Sequence, residues 1–251
     1  MNLRVFRTPE EAAHAAAAAV AAQLTRKPPS VLGLPTGRTS LAIYDELARL
    51  YEEGGADFSD AHTFNLDEFV GIRSNDTGSY CAFMTKHLFT RINLPPGHIH
   101  FLNGGAPDHV AECERFESEI EALGGMDLLL LGIGANAHIG FNEPARTLRT
   151  RSHRTRLALA TRRANASLFG GRLDRVPREA LTMGVGTVLD ARSIVLIATG
   201  REKARAVGSM FEGRISTEQP ASVLQLHPSV EVILDLPAAD KLPQSGFDAE
   251  P

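Results

Sequence analysis

Short apolar blocks and longer amphipathic ones alternate along this chain. The short blocks are Val31 to Leu34, Ala61 to Leu66, Ile99 to Leu102, Met126 to Leu131, Ser193 to Ala198 and Val230 to Leu234. They are too brief for helices, and most stop at Pro, Gly, Asn or Asp, which predicts buried strands. The longer blocks place apolar residues three and four apart. Leu41, Tyr44, Leu47 and Leu50 form one such stripe, and Val110, Cys113, Phe116, Ile120 and Leu123 another, each the core face of a helix. Helical patterns also run near Ser79 to Phe89 and Arg201 to Phe211. Thr8-Pro9-Glu10-Glu11 opens an alanine-rich helix with a capping hydroxyl, a proline in the first turn and a glutamate three residues after the cap.

Buried strands alternating with helices predict an α/β fold with an open, mostly parallel sheet covered on both faces. Ligands of such sheets bind beyond the carboxyl ends of the strands, where the winding reverses. The arginine-rich stretch from Arg146 to Arg163 is the least regular, and a lid over about residues 146–172 is expected. The polar tail, residues 237–251, is expected to fray.

Length and charge narrow the classes. A chain of 251 residues suits one domain spanning 1–251. The net charge of −4 is interleaved in sign and leaves no basic stripe, which argues against nucleic acid or an anionic membrane as partner. The apolar run Ala12 to Ala22 is too short to span a bilayer and lacks the basic start of a signal peptide. Two cysteines without C-x-x-C spacing argue against a disulfide scaffold or a thiolate zinc site, and for a reducing cytoplasm.

Four motifs carrying chemistry follow predicted strands. Thr36-Gly37-Arg38-Thr39-Ser40 lies between a strand and a helix N-terminus, where free N–H groups and the helix dipole favour an anion such as phosphate; the bland alternative is a capped turn. Asp67-Glu68 ends an apolar strand. A shielded carboxylate there would serve as a general base, and a solvated strand end or helix cap is the alternative. Gly132 to Pro144 gathers Asn136, His138 and Glu143 in one glycine-rich loop, which suits proton traffic. Lys203 follows another strand and is placed to give a phosphate a second charge, or is an exposed helix lysine. His227, before Pro228, reads as a helix-terminating or surface residue.

Five ordered motifs resemble the glucosamine-6-phosphate deaminase family. They are Leu32-Gly33-Leu34-Pro35-Thr36-Gly37, Thr63 to Phe69, Gly132 to Pro144, Ala180 to Thr187, and Pro220 to His227. The resemblance runs over about residues 30–235. It implies a Rossmann-like three-layer α/β/α fold, no metal and no organic cofactor, and a sugar-phosphate substrate. By the same resemblance Asp67 is the base moving a proton between C2 and C1, His138 opens the sugar ring, and Glu143 orients it. Thr36, Gly37, Thr39 and Lys203 then resemble the phosphate site.

Two positions depart from the family pattern. Asn136 stands where enteric members have an aspartate, and Ser167 stands where they have a phosphate-binding arginine, so either Arg162, Arg163 or Arg172 substitutes for it or the substrate differs. The chain also lacks the C-terminal extension of the regulated hexameric members, so no activation by N-acetylglucosamine 6-phosphate is expected. The family includes monomers, dimers and hexamers, which leaves open whether this chain works alone or as a homo-oligomer. Galactosamine-6-phosphate deaminase, suggested by Ile215 to Ser222, 6-phosphogluconolactonase and a non-catalytic sugar-phosphate sensor are the competing readings.

Overall fold

The computed structural model describes residues 1–242. Seven strands form one parallel sheet: β1 (Asn2–Phe6), β2 (Val31–Leu34), β3 (His62–Asn65), β5 (Ile99–His100), β6 (Leu128–Gly132), β9 (Ile194–Ala198) and β10 (Val230–Asp235). Their order is β1-β10-β9-β6-β2-β3-β5. Three more strands, β4 (Asp67–Phe69), β7 (His153–Arg156) and β8 (Glu179–Thr182), make a small antiparallel sheet in the order β4-β8-β7.

The central strands are apolar throughout because side chains that alternate in direction meet a hydrophobic layer on either face. In β6, Leu128 and Leu130 join the cluster built on α1 (Pro9–Arg26), α2 (Arg38–Glu52) and α3 (Tyr80–His87). Leu129 and Leu131 join the opposite cluster, with α4 (His109–Ala122), α6 (Val185–Leu189) and α7 (Ala204–Met210). This is the expected three-layer α/β arrangement. Close fit shows at Gly33 of β2, where a Cβ would lie 2.2 Å from Leu129 Cδ1. A small aromatic cluster of Phe69, Tyr80 and Phe141 ties the antiparallel sheet to the main body.

Several expectations are corrected. Val110 is 69 % exposed, so the α4 stripe begins at Cys113. His227 does terminate a helix, the 3-10 turn Pro220–Leu226, but it is not a surface residue: it is buried, accepting from the Ser229 N–H at Nδ1 and donating from Nε2 to the Ala191 carbonyl. The stretch read as irregular carries β7 and α5 (Leu159–Ala164). The first residues of the tail are ordered in α8 (Leu236–Ala239), whose Ala238 N–H is capped by Asp235. The rest of that tail, residues 243–251, lies outside the described residues.

From β2 the chain winds outward through β3 to β5, then returns to place β6 on the other side of β2. The reversal between β2 and β6 is the place where a ligand cleft is expected.

Candidate active site

A cavity of about 820 Å³ opens there, over the carboxyl ends of β2, β3, β6 and β9. Thr36, Gly37, Arg38 and Thr39 line it together with Asp67, Asn136, His138 and Lys203. Every sequence-predicted site residue except Glu143 therefore lines one cavity, and Glu143 accepts a hydrogen bond from the lining Asn136.

The Gly37 turn starts α2. Gly37 has φ +136°, which only glycine adopts easily, and a Cβ there would meet nothing within 4 Å. The backbone is thus open to a ligand at the helix N-terminus. Ser40 is not a free donor, because its hydroxyl donates to the Gly37 carbonyl at 2.8 Å. The buried Tyr44 hydroxyl donates to the Pro35 carbonyl and braces the turn from below. Lys203 follows Thr199-Gly200 at the end of β9. Burial lowers its pKa, Glu202 opposes that shift, and Arg38 adds to it.

Asp67 and Glu68 are both buried but differ in partners. Glu68 accepts backbone N–H bonds from Phe69, Tyr80 and Cys81 at 2.8, 3.1 and 3.1 Å, so it caps the start of α3. Burial still raises its pKa to about 7, with those donors opposing. Burial, reinforced by the neighbouring Glu68 charge, pushes Asp67 up to about 8. Of the two carboxyls, the one facing the cavity is held as a weak acid, suited to exchange a proton near neutrality.

The loop after β6 presents His138 through a tight turn. Gly134 N–H donates to the His138 carbonyl at 2.8 Å, and Ala137 N–H to the Gly134 carbonyl at 2.9 Å. Ala137 between them has φ 66°, a left-handed conformation that costs a non-glycine residue about 1–2 kcal/mol. The imidazole lies against Gly134, where a Cβ would come within 2.3 Å of the ring. His138 Nδ1 donates to Asn136 Oδ1 at 2.6 Å, and Asn136 Nδ2 donates to Glu143 Oε2 at 2.8 Å. This chain fixes the tautomer and leaves Nε2 as the ring's other proton-exchanging atom.

Burial works against the Glu143 anion, but His138, Thr161 and Asn136 outweigh it and hold its pKa down to about 2. The Glu143 Oε2 to His138 Nδ1 distance is 3.5 Å. Glu143 Oε1 also accepts from the Thr161 hydroxyl on α5, tying this loop to the segment above the cavity.

Two contributors lay hidden in the sequence. Tyr80, whose hydroxyl donates to Asn165 Oδ1 at 2.9 Å, and Thr161 both line the cavity. Tyr80 followed a capping serine and read only as helix, while Thr161 sat in the stretch without periodicity. None of Arg162, Arg163 and Arg172 lines the cavity. Arg162 donates to the Leu173 and Val176 carbonyls, and Arg172 pairs with Asp174. A larger cavity of about 1410 Å³ lies between α4 and β7. Many of its charges are internally paired, including Arg151 with Asp190 and Arg154 with Glu179, and it contains neither Asp67 nor His138. Among the described residues no group of three or more His, Cys, Asp or Glu side chains is arranged to hold a metal ion, and no helix is long and apolar enough to cross a membrane.

An open helix N-terminus, a lysine and titratable side chains gathered around one cleft at the winding reversal are the layout of an α/β enzyme. The family model described as glucosamine-6-phosphate isomerases/6-phosphogluconolactonase matches residues 7–233, and the chain belongs to that family. It is 44% identical over 234 residues to a glucosamine-6-phosphate deaminase of Thermoanaerobacter pseudethanolicus, covering 93% of this chain and 92% of the relative. Glucosamine-6-phosphate deaminase 2 of Bacillus subtilis is 43% identical over 248 residues, covering 98% and 100%. A solved structure of a monomeric glucosamine-6-phosphate deaminase superposes with a TM-score of 0.93 at 41% identity, covering 96% of this chain and 100% of that one. The 6-phosphogluconolactonase from Trypanosoma cruzi, at 17% identity and a TM-score of 0.77 over 96% of each chain, shares the fold.

Proposed function

We propose that this protein converts glucosamine 6-phosphate and water to fructose 6-phosphate and ammonia. The observation that carries the reading is that Asp67 and His138 share one cavity with the Gly37 turn and Lys203. The relatives at 43–44% identity bear the name of that activity over nearly their whole length.

The phosphate is held by the N–H groups of the turn, the Thr36 and Thr39 hydroxyls and the Lys203 ammonium, with Arg38 at the rim. This remote anchor fixes C1 and C2 over the acid-base groups. His138 takes the C1 hydroxyl proton and returns one to the ring oxygen, opening the pyranose. Asp67, as carboxylate, removes the C2 hydrogen, and the resulting enolamine is reprotonated at C1 to give the C2 imine. Water adds at C2, ammonia leaves and the ketone remains. Glu143, acting through Asn136, holds His138 in the tautomer this needs. A neutral amide in that place orients the imidazole without adding a second charge beside it.

An ammonia-coupled assay on glucosamine 6-phosphate tests the reading. The expected result is turnover by the wild type that Asp67→Asn and His138→Gln reduce by about 10²–10⁴-fold. A parallel arm with galactosamine 6-phosphate settles the C4 epimer. Hydrolysis of 6-phosphogluconolactone without ammonia release from either amino sugar would overturn it.

A further inference from the structure

His138 is oriented by an amide, and an amide has a direction. Asn136 Oδ1 meets His138 Nδ1 at 2.6 Å, while its Nδ2 meets Glu143 Oε2 at 2.8 Å. Turned over, the same side chain would present Nδ2 to the ring. The imidazole would then carry its proton on Nε2 and have no lone pair there to take one up. Two contacts hold the productive direction. The His138 N–H reaches Oδ1 at a long 3.4 Å, and the Glu143 carboxylate, which accepts only while it stays ionised, is the closer partner.

The Glu143 charge therefore has to be kept. Burial opposes it, and His138, Thr161 and Asn136 together overcome that opposition. Among the described residues no lysine or arginine forms an ion pair with it. Its second oxygen, Oε1, is met from α5 instead, by the Thr161 hydroxyl and, at 3.4 Å, by the Ala158 N–H. Threonines within helices commonly turn the hydroxyl back onto the carbonyl four residues earlier, as Thr25 and Thr85 do at 3.0 and 2.8 Å. The buried Thr161 gives its O–H to the carboxylate.

α5 is itself pinned. Asn165, at its C-cap, donates from Nδ2 to the Thr161 carbonyl at 3.0 Å and accepts from the Tyr80 hydroxyl at 2.9 Å. The Tyr80 N–H in turn donates to Glu68, the neighbour of Asp67. One path of hydrogen bonds thus joins the two acid-base groups of the cleft through α5.

We propose that Thr161 is a positioning residue for ring opening, acting through Glu143 and Asn136 to hold the His138 imidazole with its proton on Nδ1 and Nε2 free to take one up. The step that His138 serves rests on the deaminase reading, whereas the relay of hydrogen bonds does not depend on the substrate.

The test compares wild type with Thr161→Val, which keeps the shape and removes the O–H, and Thr161→Ser, which keeps the O–H. Ammonia release gives kcat and KM for glucosamine 6-phosphate. NMR of the imidazole nitrogens gives the His138 tautomer, its signals identified by their loss in His138→Gln. Thr161→Val should lower kcat by about 10-fold with KM within about 3-fold of wild type, and shift His138 from Nδ1–H toward Nε2–H. Thr161→Ser should keep both readings near those of wild type. Undiminished kcat or an unchanged tautomer in Thr161→Val would overturn the proposal, as would a serine variant as impaired as the valine one. So would a wild-type His138 protonated on Nε2, a result that needs no variant. Failure of the deaminase reading looks different: wild-type protein would release no ammonia, yet the tautomer measurements would still decide the relay.

Discussion

At the scale of single residues, the burial of Asp67 carries a cost in stability. Asp67 is buried and, among the described residues, receives no hydrogen bond, while its neighbour Glu68 takes three backbone N–H groups. A carboxyl whose folded pKa is raised holds a proton that the unfolded chain has already released. Stability is therefore lost as pH rises from the ordinary aspartate value near 4 to the folded value of about 8, by about 1.4 kcal/mol per unit. Asp67→Asn removes this burden. Its melting temperature should exceed that of wild type by a margin that widens from pH 5 to pH 8 and levels above, at roughly 2–4 °C per kcal/mol. A margin independent of pH would show that Asp67 titrates normally. The sequence displayed the two acids but not which was capped, because the capping N–H groups come from Tyr80 and Cys81, more than ten residues further along.

At the scale of elements, the loop after β6 depends on small residues for its shape. Gly134 has no unusual backbone requirement, yet a methyl group there would strike the His138 ring at 2.3 Å. Gly134→Ala should therefore leave the fold intact and push the imidazole aside, lowering kcat by about 10–10³-fold with the melting temperature within a few degrees of wild type. Undiminished turnover in that variant would place His138 outside the reaction. Glycines bracketing a histidine after a buried strand made this loop legible in advance. Equally legible was the start of α1, where Thr8 and Glu11 form the reciprocal cap that their spacing predicts. The antiparallel sheet was not. β7 reads His-Arg-Thr-Arg and is at best half-buried, and β4 consists of the two acids and Phe69, so neither shows the apolar alternation that marks a strand.

For the whole molecule, the sheet's winding does the assembling. Residues 36–39, 67, 138 and 203 are distant in sequence, yet each follows a strand of one parallel sheet, and reversal of the winding between β2 and β6 brings those strand ends around one cleft. Strand positions and the motifs after them could be read from the chain. Strand order could not, since it depends on crossovers that leave no local pattern. Nor could it be read that Arg162 turns away from the cavity, which depends on its finding two carbonyls at 173 and 176. The central claim is that the cleft moves one proton between adjacent sugar carbons through Asp67. It is tested most directly by following deuterium at C2 of labelled glucosamine 6-phosphate by NMR, with wild type and Asp67→Asn both shown to bind the sugar. Wild type should move the label from C2 to C1 or to water as fructose 6-phosphate forms, and Asp67→Asn should leave it in place. Loss of the C2 label at an undiminished rate in Asp67→Asn would contradict the account.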